Sequence, residues 1–340
     1  MSAETPRIAI DAMGGDNAPR EIVAGTLQAA KTFDARFILV GDQKQIEPLV
    51  DAASRAKNVD IVHAGEVVAM DEAPVAAVKR GGVTSMAKSF ELVRDGDADA
   101  VFSAGNSGAF LAFSMIRLRP LAGIARPAFA TIWPARNGPM VVLDAGANVD
   151  CKPEWLMQFA IMGSAYSHAV LGVEKPKVGL LSIGEEESKG NELIDAATPL
   201  LASAPIEFAG NVEGRDLLLG NVDVIVCDGF VGNVALKLAE GAGEYIFGAL
   251  KEAATTSLGA RIGAMLLRPK IREIRGRMDY REYGGAPVLG VRGVSFVGHG
   301  RTDAKAVVSA CRAAFRAVHE DLVGTIARAI AKVNGAEAAR

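Results

Sequence analysis

Short β-branched runs that end in glycine, aspartate or asparagine recur along most of this chain, with amphipathic stretches between them. No other feature limits its fold as strongly. The runs stand at 7–12, 36–41, 59–64, 99–105, 129–134, 140–146, 177–184 and 222–229. Helical spacing fits most of the intervals, which is the pattern of a parallel sheet with crossover helices. In open parallel sheets ligands bind outside the carboxyl ends of the strands. The pattern therefore predicts five polar turns gathered along one sheet edge: "DAMGGDNAP", "SAGNSGA", "LDAGANVD", "SIGEEESKGNE" and "CDGFVGN". Residues 303–333 carry apolar positions at helical spacing and predict one long or kinked closing helix, with Asp303 as its N-cap and Cys311 on its apolar face. "RDGDAD" at 94–99 and the stretch from Pro199 to Pro205 read as surface turns.

Composition bounds the functions open to such a chain. At 340 residues it has room for two domains or one large doubly wound unit, and half of it is apolar. No apolar run approaches the roughly 20 residues that a membrane span needs, so the expectation is a soluble cytoplasmic protein. The net charge of −3 argues against general nucleic-acid affinity, which needs a basic face. Cys151, Cys227 and Cys311 are spaced for neither a disulfide framework nor a zinc site, and read as free, mostly buried thiols.

The polar turns hold the candidate chemistry. In the first, Gly14 and Gly15 let backbone approach an anion, yet Asp11 and Asp16 place carboxylates there; Asp16 or Asn17 also suits an N-cap ahead of Pro19. The turn lacks both the G-x-G-x-x-G spacing of a dinucleotide site and the Walker lysine. In the second, Ser107 suits a cap, and the N–H groups from Asn106 to Gly108 suit an oxyanion or phosphate. The third adds Asp144, Asn148 and Asp150. In the fourth, Glu185, Glu186 and Glu187 do not make a metal site, because adjacent acids do not face one point and no histidine follows at ligand spacing. Lys189, flanked by glycine, is a mobile point charge suited to phosphate or to a surface role. The fifth sets Asp228, Gly229, Gly232 and Asn233 at a helix start. Cys227 beside them lacks an activating histidine and reads as packed rather than nucleophilic. His299, between glycines, is the one histidine with a site context; His63, His168 and His319 have none.

One stretch departs from the rest. Residues 258–278 hold six basic side chains (Arg261, Arg268, Lys270, Arg272, Arg275, Arg277) against Glu273, with apolar residues between them and Pro269 expected to kink or split the helix. An amphipathic basic segment of this kind suits anionic lipid, an acidic protein or a dimer face.

Taken together, the motifs "IAIDAMGGDNAP", "SAGNSGAF", "LDAGANVD", "GLLSIGEEESKGNEL", "FAGNVEGRD", "DVIVCDGFVGNVALK" and "YGGAPVLGVRGVSFVGHG" resemble the bacterial fatty acyl-ACP:phosphate acyltransferases, from residue 7 to about 315. The resemblance implies a three-layer α/β/α fold with a mostly parallel mixed sheet, like that of isocitrate dehydrogenase and phosphotransacetylase. It implies one catalytic domain over 1–335 with 255–280 protruding as a basic amphipathic helical segment. The implied reaction converts acyl-ACP and inorganic phosphate to acyl phosphate and ACP by direct displacement, with no metal, nicotinamide or other cofactor. Lys189, Asp228, His299 and Asn106 are then the expected catalytic residues. Asp11, Gly14, Gly15, Asp16, Asn17, Ser107, Gly108, Asn148 and Asn233 are the expected substrate-binding residues. The implied partners are a second copy in a homodimer, the inner face of the cell membrane, and a membrane-bound glycerol-3-phosphate acyltransferase that uses the product. A phosphotransacetylase-like enzyme of short acyl-CoA is the alternative. Ser182, where the family leads one to expect Asn, and Arg301 and Thr302, where small residues are expected, depart from the pattern.

Overall fold

All eight β-branched runs form strands in the computed structural model, which describes residues 5–50, 58–277 and 284–338. The strands are β1 Arg7–Asp11, β2 Arg36–Gly41, β3 Val59–His63, β4 Ala100–Ser103, β5 Ala128–Ala135, β6 Gly138–Leu143, β7 Lys177–Leu181, β8 Glu207–Val212, β9 Val224–Val226, β10 Ala286–Leu289 and β11 Val294–Val297. They make one eleven-stranded sheet in the order β3-β2-β1-β4-β11-β10-β5-β6-β9-β7-β8. The main helices are α1 Arg20–Thr32, α2 Pro74–Lys79, α3 Ser85–Asp95, α4 Ser107–Phe113, α5 Pro153–Tyr166, α6 Glu192–Ser203, α7 Gly229–Ala253, α8 Leu258–Arg277, α9 Ala304–His319 and α10 Leu322–Ala338.

Strand alternation explains the layers. In β1, Ile8 and Ile10 join one buried apolar cluster, with Phe37, Leu39, Phe102 and Phe296. Ala9 points the other way, into a second cluster with Ile38, Val40, Val101, Phe90 and Phe110. Both faces of the sheet are therefore covered, as a period-two pattern without a polar face requires. Helices α1, α5, α9 and α10 supply side chains to the first cluster, and α3 and α4 to the second.

The three strands that the sequence did not announce are each irregular. In β8, Gly210 has φ +90, and its pairing with β7 shifts register at Val178/Gly179. Strand β10 is four residues long and contains Pro287; β11 is equally short. Three expectations about helices need correction. Helix α6 runs through Pro199, so only residues after Ser203 form a turn. Helix α8 continues through Pro269; Met265, whose carbonyl loses its helical donor there, is exposed, and water can replace the bond. The closing segment is two helices, broken at Asp321 with φ +47. Asp303 does cap the first, accepting from Ala306 N at 3.0 Å. Residues 278–280 of the expected protruding segment lie outside the described residues, as do the side chains of Glu273, Ile274, Arg275 and Arg277.

Candidate active site

The motif residues form two groups. The first is built on β1, β4 and β11, which are neighbours and parallel. Asp11 ends β1 and is 1% exposed. Its carboxylate accepts from Ser103 Oγ at 2.6 Å and from Met13 N at 3.2 Å, and Ser103 Oγ accepts from Gly105 N at 3.0 Å. Burial pushes the Asp11 carboxyl above the usual carboxylate range, and the donors, Ser103 first among them, oppose that rise. Gly14 lies across this cluster so closely that a Cβ would stand 2.7 Å from both Asp11 Oδ2 and Ser103 Oγ. The turn is then tied to the one after β11: Asp16 N donates to Gly300 O at 2.7 Å, and Asn17 Nδ2 donates to the carbonyls of Thr302 and Arg301. Neither Asp16 nor Asn17 caps α1, because both are drawn toward that turn; the N-cap is Pro19, with no side-chain cap.

Two further expectations change in the second turn. Asn106, not Ser107, caps α4, accepting from Ala109 N at 2.9 Å. Its amide group donates to the carbonyls of Ala69, Met70 and Glu72 at 3.2, 3.0 and 2.8 Å. With both ends engaged, Asn106 holds the 69–72 loop against α4 and has no amide left to stabilise an oxyanion. Ser107 is exposed, and Gly108 packs against Pro74. His299 is exposed and its Nδ1 accepts from Arg301 N at 3.2 Å, which leaves the proton of the neutral ring on Nε2. Thr302, one of the departures, is buried and donates its hydroxyl to the His299 carbonyl, closing the turn.

The second group is built on β6, β9 and β7, again parallel neighbours. Asp144 is fully buried and accepts from the backbone N–H groups of Phe129, Gly146, Ala147 and Asn148 and from Asn148 Nδ2. Burial pushes its carboxyl up and these donors counter it. Asn148 Nδ2 also donates to Pro127 O at 2.9 Å, so Asn148 braces the turn rather than presenting its amide to a substrate. Its carbonyl accepts from Gly229 N at 2.7 Å, which docks the start of α7 on the turn. Any Cβ on Gly232 would overlap the Asp144 carbonyl, so α7 approaches this closely only because that position is glycine. Asp228 is the N-cap of α7, accepting from Val231 N at 2.9 Å, and exposed Asn233 lies over Gly146. Cys227 is 2% exposed, and burial raises its thiol well above the ordinary range, which removes it as a nucleophile. Lys189 is exposed and, among the described residues, makes no salt bridge; of the three acids before it, Glu185 pairs with Arg215 at 2.7 Å.

The two groups do not share one in-register edge. Strand β10 is antiparallel to both β11 and β5, and β5 is antiparallel to β6, so β6, β9 and β7 run opposite to β1, β4 and β11. The expectation of five turns on one edge is corrected by this antiparallel insert. Between β4 and β9 lie five strand spacings, about 24 Å. Over that span a twist of about 20–25° per strand turns the second half through about 100–125° relative to the first. Asp144 and Gly232, which the sequence places in the candidate turns, and Ser103 and Thr302, to which it gives no such role, all serve to hold backbone.

Known structures share this architecture. Over 93% of this chain and 95% of its own length, the EutD phosphotransacetylase from Staphylococcus aureus superposes with a TM-score of 0.62 at 15% identity. A phosphotransacetylase from Streptococcus pyogenes gives 0.63, also at 15% identity, over 94% and 95%. The fold is thus the α/β/α architecture of the phosphotransacetylases. Within it, the family model described as "Fatty acid synthesis protein" matches residues 6–324. Two relatives named phosphate acyltransferase, from Desulforudis audaxviator and Nostoc punctiforme, are 51% and 50% identical over 98% and 96% of this chain and 99% and 97% of their own. The chain belongs to this family of phosphate acyltransferases.

Proposed function

We propose that the enzyme transfers a fatty acyl group from the thioester of acyl carrier protein to inorganic phosphate. The observation that carries this reading is the second group, where Lys189, without a salt bridge among the described residues, lies in the turn after β7, and the long helix α7 begins after the neighbouring strand β9. The N–H groups of Gly229 and Val231 are already bonded, so the helix contributes its field more than its donors. Exposed Val149, Ile183, Phe230, Val231 and Val234 flank these turns, a rim that suits a long acyl chain better than an acetyl group.

In this reading Lys189 and Asn233 hold hydrogen phosphate. Its oxygen attacks the thioester carbonyl, a C–O bond forms as the C–S bond breaks, and the phosphate proton leaves on the thiol of the carrier. Positioning and charge stabilisation suffice, because the nucleophile is already anionic. Asp228 orients the first turn of α7. Ser107, Gly108 and His299 of the first group meet polar parts of the acyl donor, on a wall formed by Gly14, Gly15 and Asp16. A rapid-quench turnover with labelled palmitoyl-ACP tests direct displacement. Without phosphate neither acylated enzyme nor free thiol accumulates; a labelled protein band would replace direct displacement with an acyl-enzyme.

The same reading makes residues 1–335 one catalytic unit from which α8 projects. Among the described residues no helix is long and apolar enough to cross a membrane. Helix α8 nevertheless exposes Leu258, Ile262, Met265, Leu266 and Leu267 beside Arg261, Arg268, Lys270 and Arg272. That surface fits peripheral attachment to anionic lipid at the inner face of the membrane, where a membrane-bound glycerol-3-phosphate acyltransferase would take the product. Helix α7 exposes Leu238 and Tyr245 seven residues apart on one face, which fits a homodimer contact.

A further inference from the structure

We infer that Ser182 and Asn211 are positioning residues that fix Lys189 for the phosphate, an inference that rests on the role proposed for Lys189 above. Three contacts converge on this one residue. Ser182 Oγ, at the end of β7, donates to the Lys189 carbonyl at 2.9 Å. Asn211 Nδ2, on the adjacent strand β8, donates to the same carbonyl and to that of Glu186, both at 3.1 Å. The side-chain stem of Lys189 lies over Gly184, where a Cβ would stand 2.8 Å from its Cγ. The 185–190 loop is exposed, with Gly190 at φ +153, and its own turn is closed by Lys189 N donating to Glu186 O at 2.9 Å.

A loop so exposed has little packing to hold it, and a flexible lysine loses its advantage as a phosphate ligand if its backbone wanders. Two side chains from two strands supply the restraint. The buried Oδ1 of Asn211 has no hydrogen-bond partner, so that side chain keeps its orientation through its NH₂ end alone. Ser182 is the position where the resemblance leads one to expect asparagine, and its hydroxyl reaches the carbonyl directly. Gly184 is the floor, and any side chain there would displace the lysine stem.

A double-mutant cycle tests this, with palmitoyl-ACP as donor and inorganic phosphate as the varied substrate. Ser182→Ala and Asn211→Ala each lower kcat/KM for phosphate by about three- to tenfold in the wild-type background. In the Lys189→Ala background each changes it by less than about twofold, because the group they position is gone. Ser182→Thr, which keeps the hydroxyl, restores most of the loss, and thermal unfolding shows whether each variant is folded. If Lys189→Ala is impaired but the other losses simply multiply with it, Ser182 and Asn211 are structural and the inference fails alone. If Lys189→Ala turns over at the wild-type rate, the role proposed for Lys189 fails and the clamp falls with it.

Discussion

At the scale of single residues, the sequence names polar side chains in the turns, and the fold has already engaged several of them. Asn106 has the chemistry of an oxyanion donor, yet three carbonyls and a helix cap occupy it. Asn148 is occupied by Asp144 and Pro127 in the same way. Side-chain type announces what a residue can do; only the fold shows which of its hydrogen bonds are already made. Lys189 and Asn233 pass that test, being exposed at strand and helix ends. Asp11 offers a check on the buried side of the first group. Its proton is held more tightly in the folded chain than in the unfolded one, so it favours folding at low pH and that contribution is lost as pH rises from the ordinary 3.8 toward the raised value. Asp11→Asn cannot ionise. Its Tm relative to wild type should therefore climb as pH is taken upward through that window, measured by scanning calorimetry; a difference that falls with pH would mean that the donors, not burial, dominate.

At the scale of elements, the eight strand runs were legible because β-branched residues alternate with turns. The sheet's reversal was not, although one signal was present. Residues 135–138 read Ala-Arg-Asn-Gly, and the register Ala135↔Gly138 makes β5 and β6 a hairpin with a two-residue loop. The loop residues are Arg136 and Asn137, and the Asn-Gly pair at its end is a turn signal between two apolar runs. Reading it as such would have shown that the five turns cannot all lie along one edge. Strand β10, short and carrying Pro287, gave no comparable signal. The glycines of α7 give an element-level test. Gly232→Ala should cost about 3 kcal/mol or more, because the new methyl meets the Asp144 backbone, whereas Gly243→Ala, with open space around it, should gain about 0.5–1 kcal/mol. Urea unfolding of the two variants measures both. A large loss for Gly232→Ala beside a small gain for Gly243→Ala is the expectation; a stabilised Gly232→Ala would show that α7 does not dock on the turn after β6.

At the scale of the whole molecule, an acidic chain carries a local basic and apolar helix. Its net charge of −3 gives no broad attraction to anions, and in the reading proposed above the lipid contact falls on α8. Reversing Arg268, Lys270 and Arg272 together to Glu should weaken binding to phosphatidylglycerol vesicles by about 100-fold or more at low salt, at about 1 kcal/mol for each basic residue removed. Phosphatidylcholine vesicles should show little binding in either case. A flotation assay in which the triple variant binds as the wild type does would place the membrane contact elsewhere.

The proposed reaction turns on the acyl donor, since the fold is shared with phosphotransacetylases and only the exposed apolar rim and the family separate the two chemistries. Phosphate-dependent thiol release should be measured side by side with palmitoyl-ACP and acetyl-CoA. The enzyme should release thiol from palmitoyl-ACP, matched one for one by acyl phosphate and abolished when phosphate is omitted, with acetyl-CoA a poor donor. A higher kcat/KM for acetyl-CoA would contradict the proposed reaction.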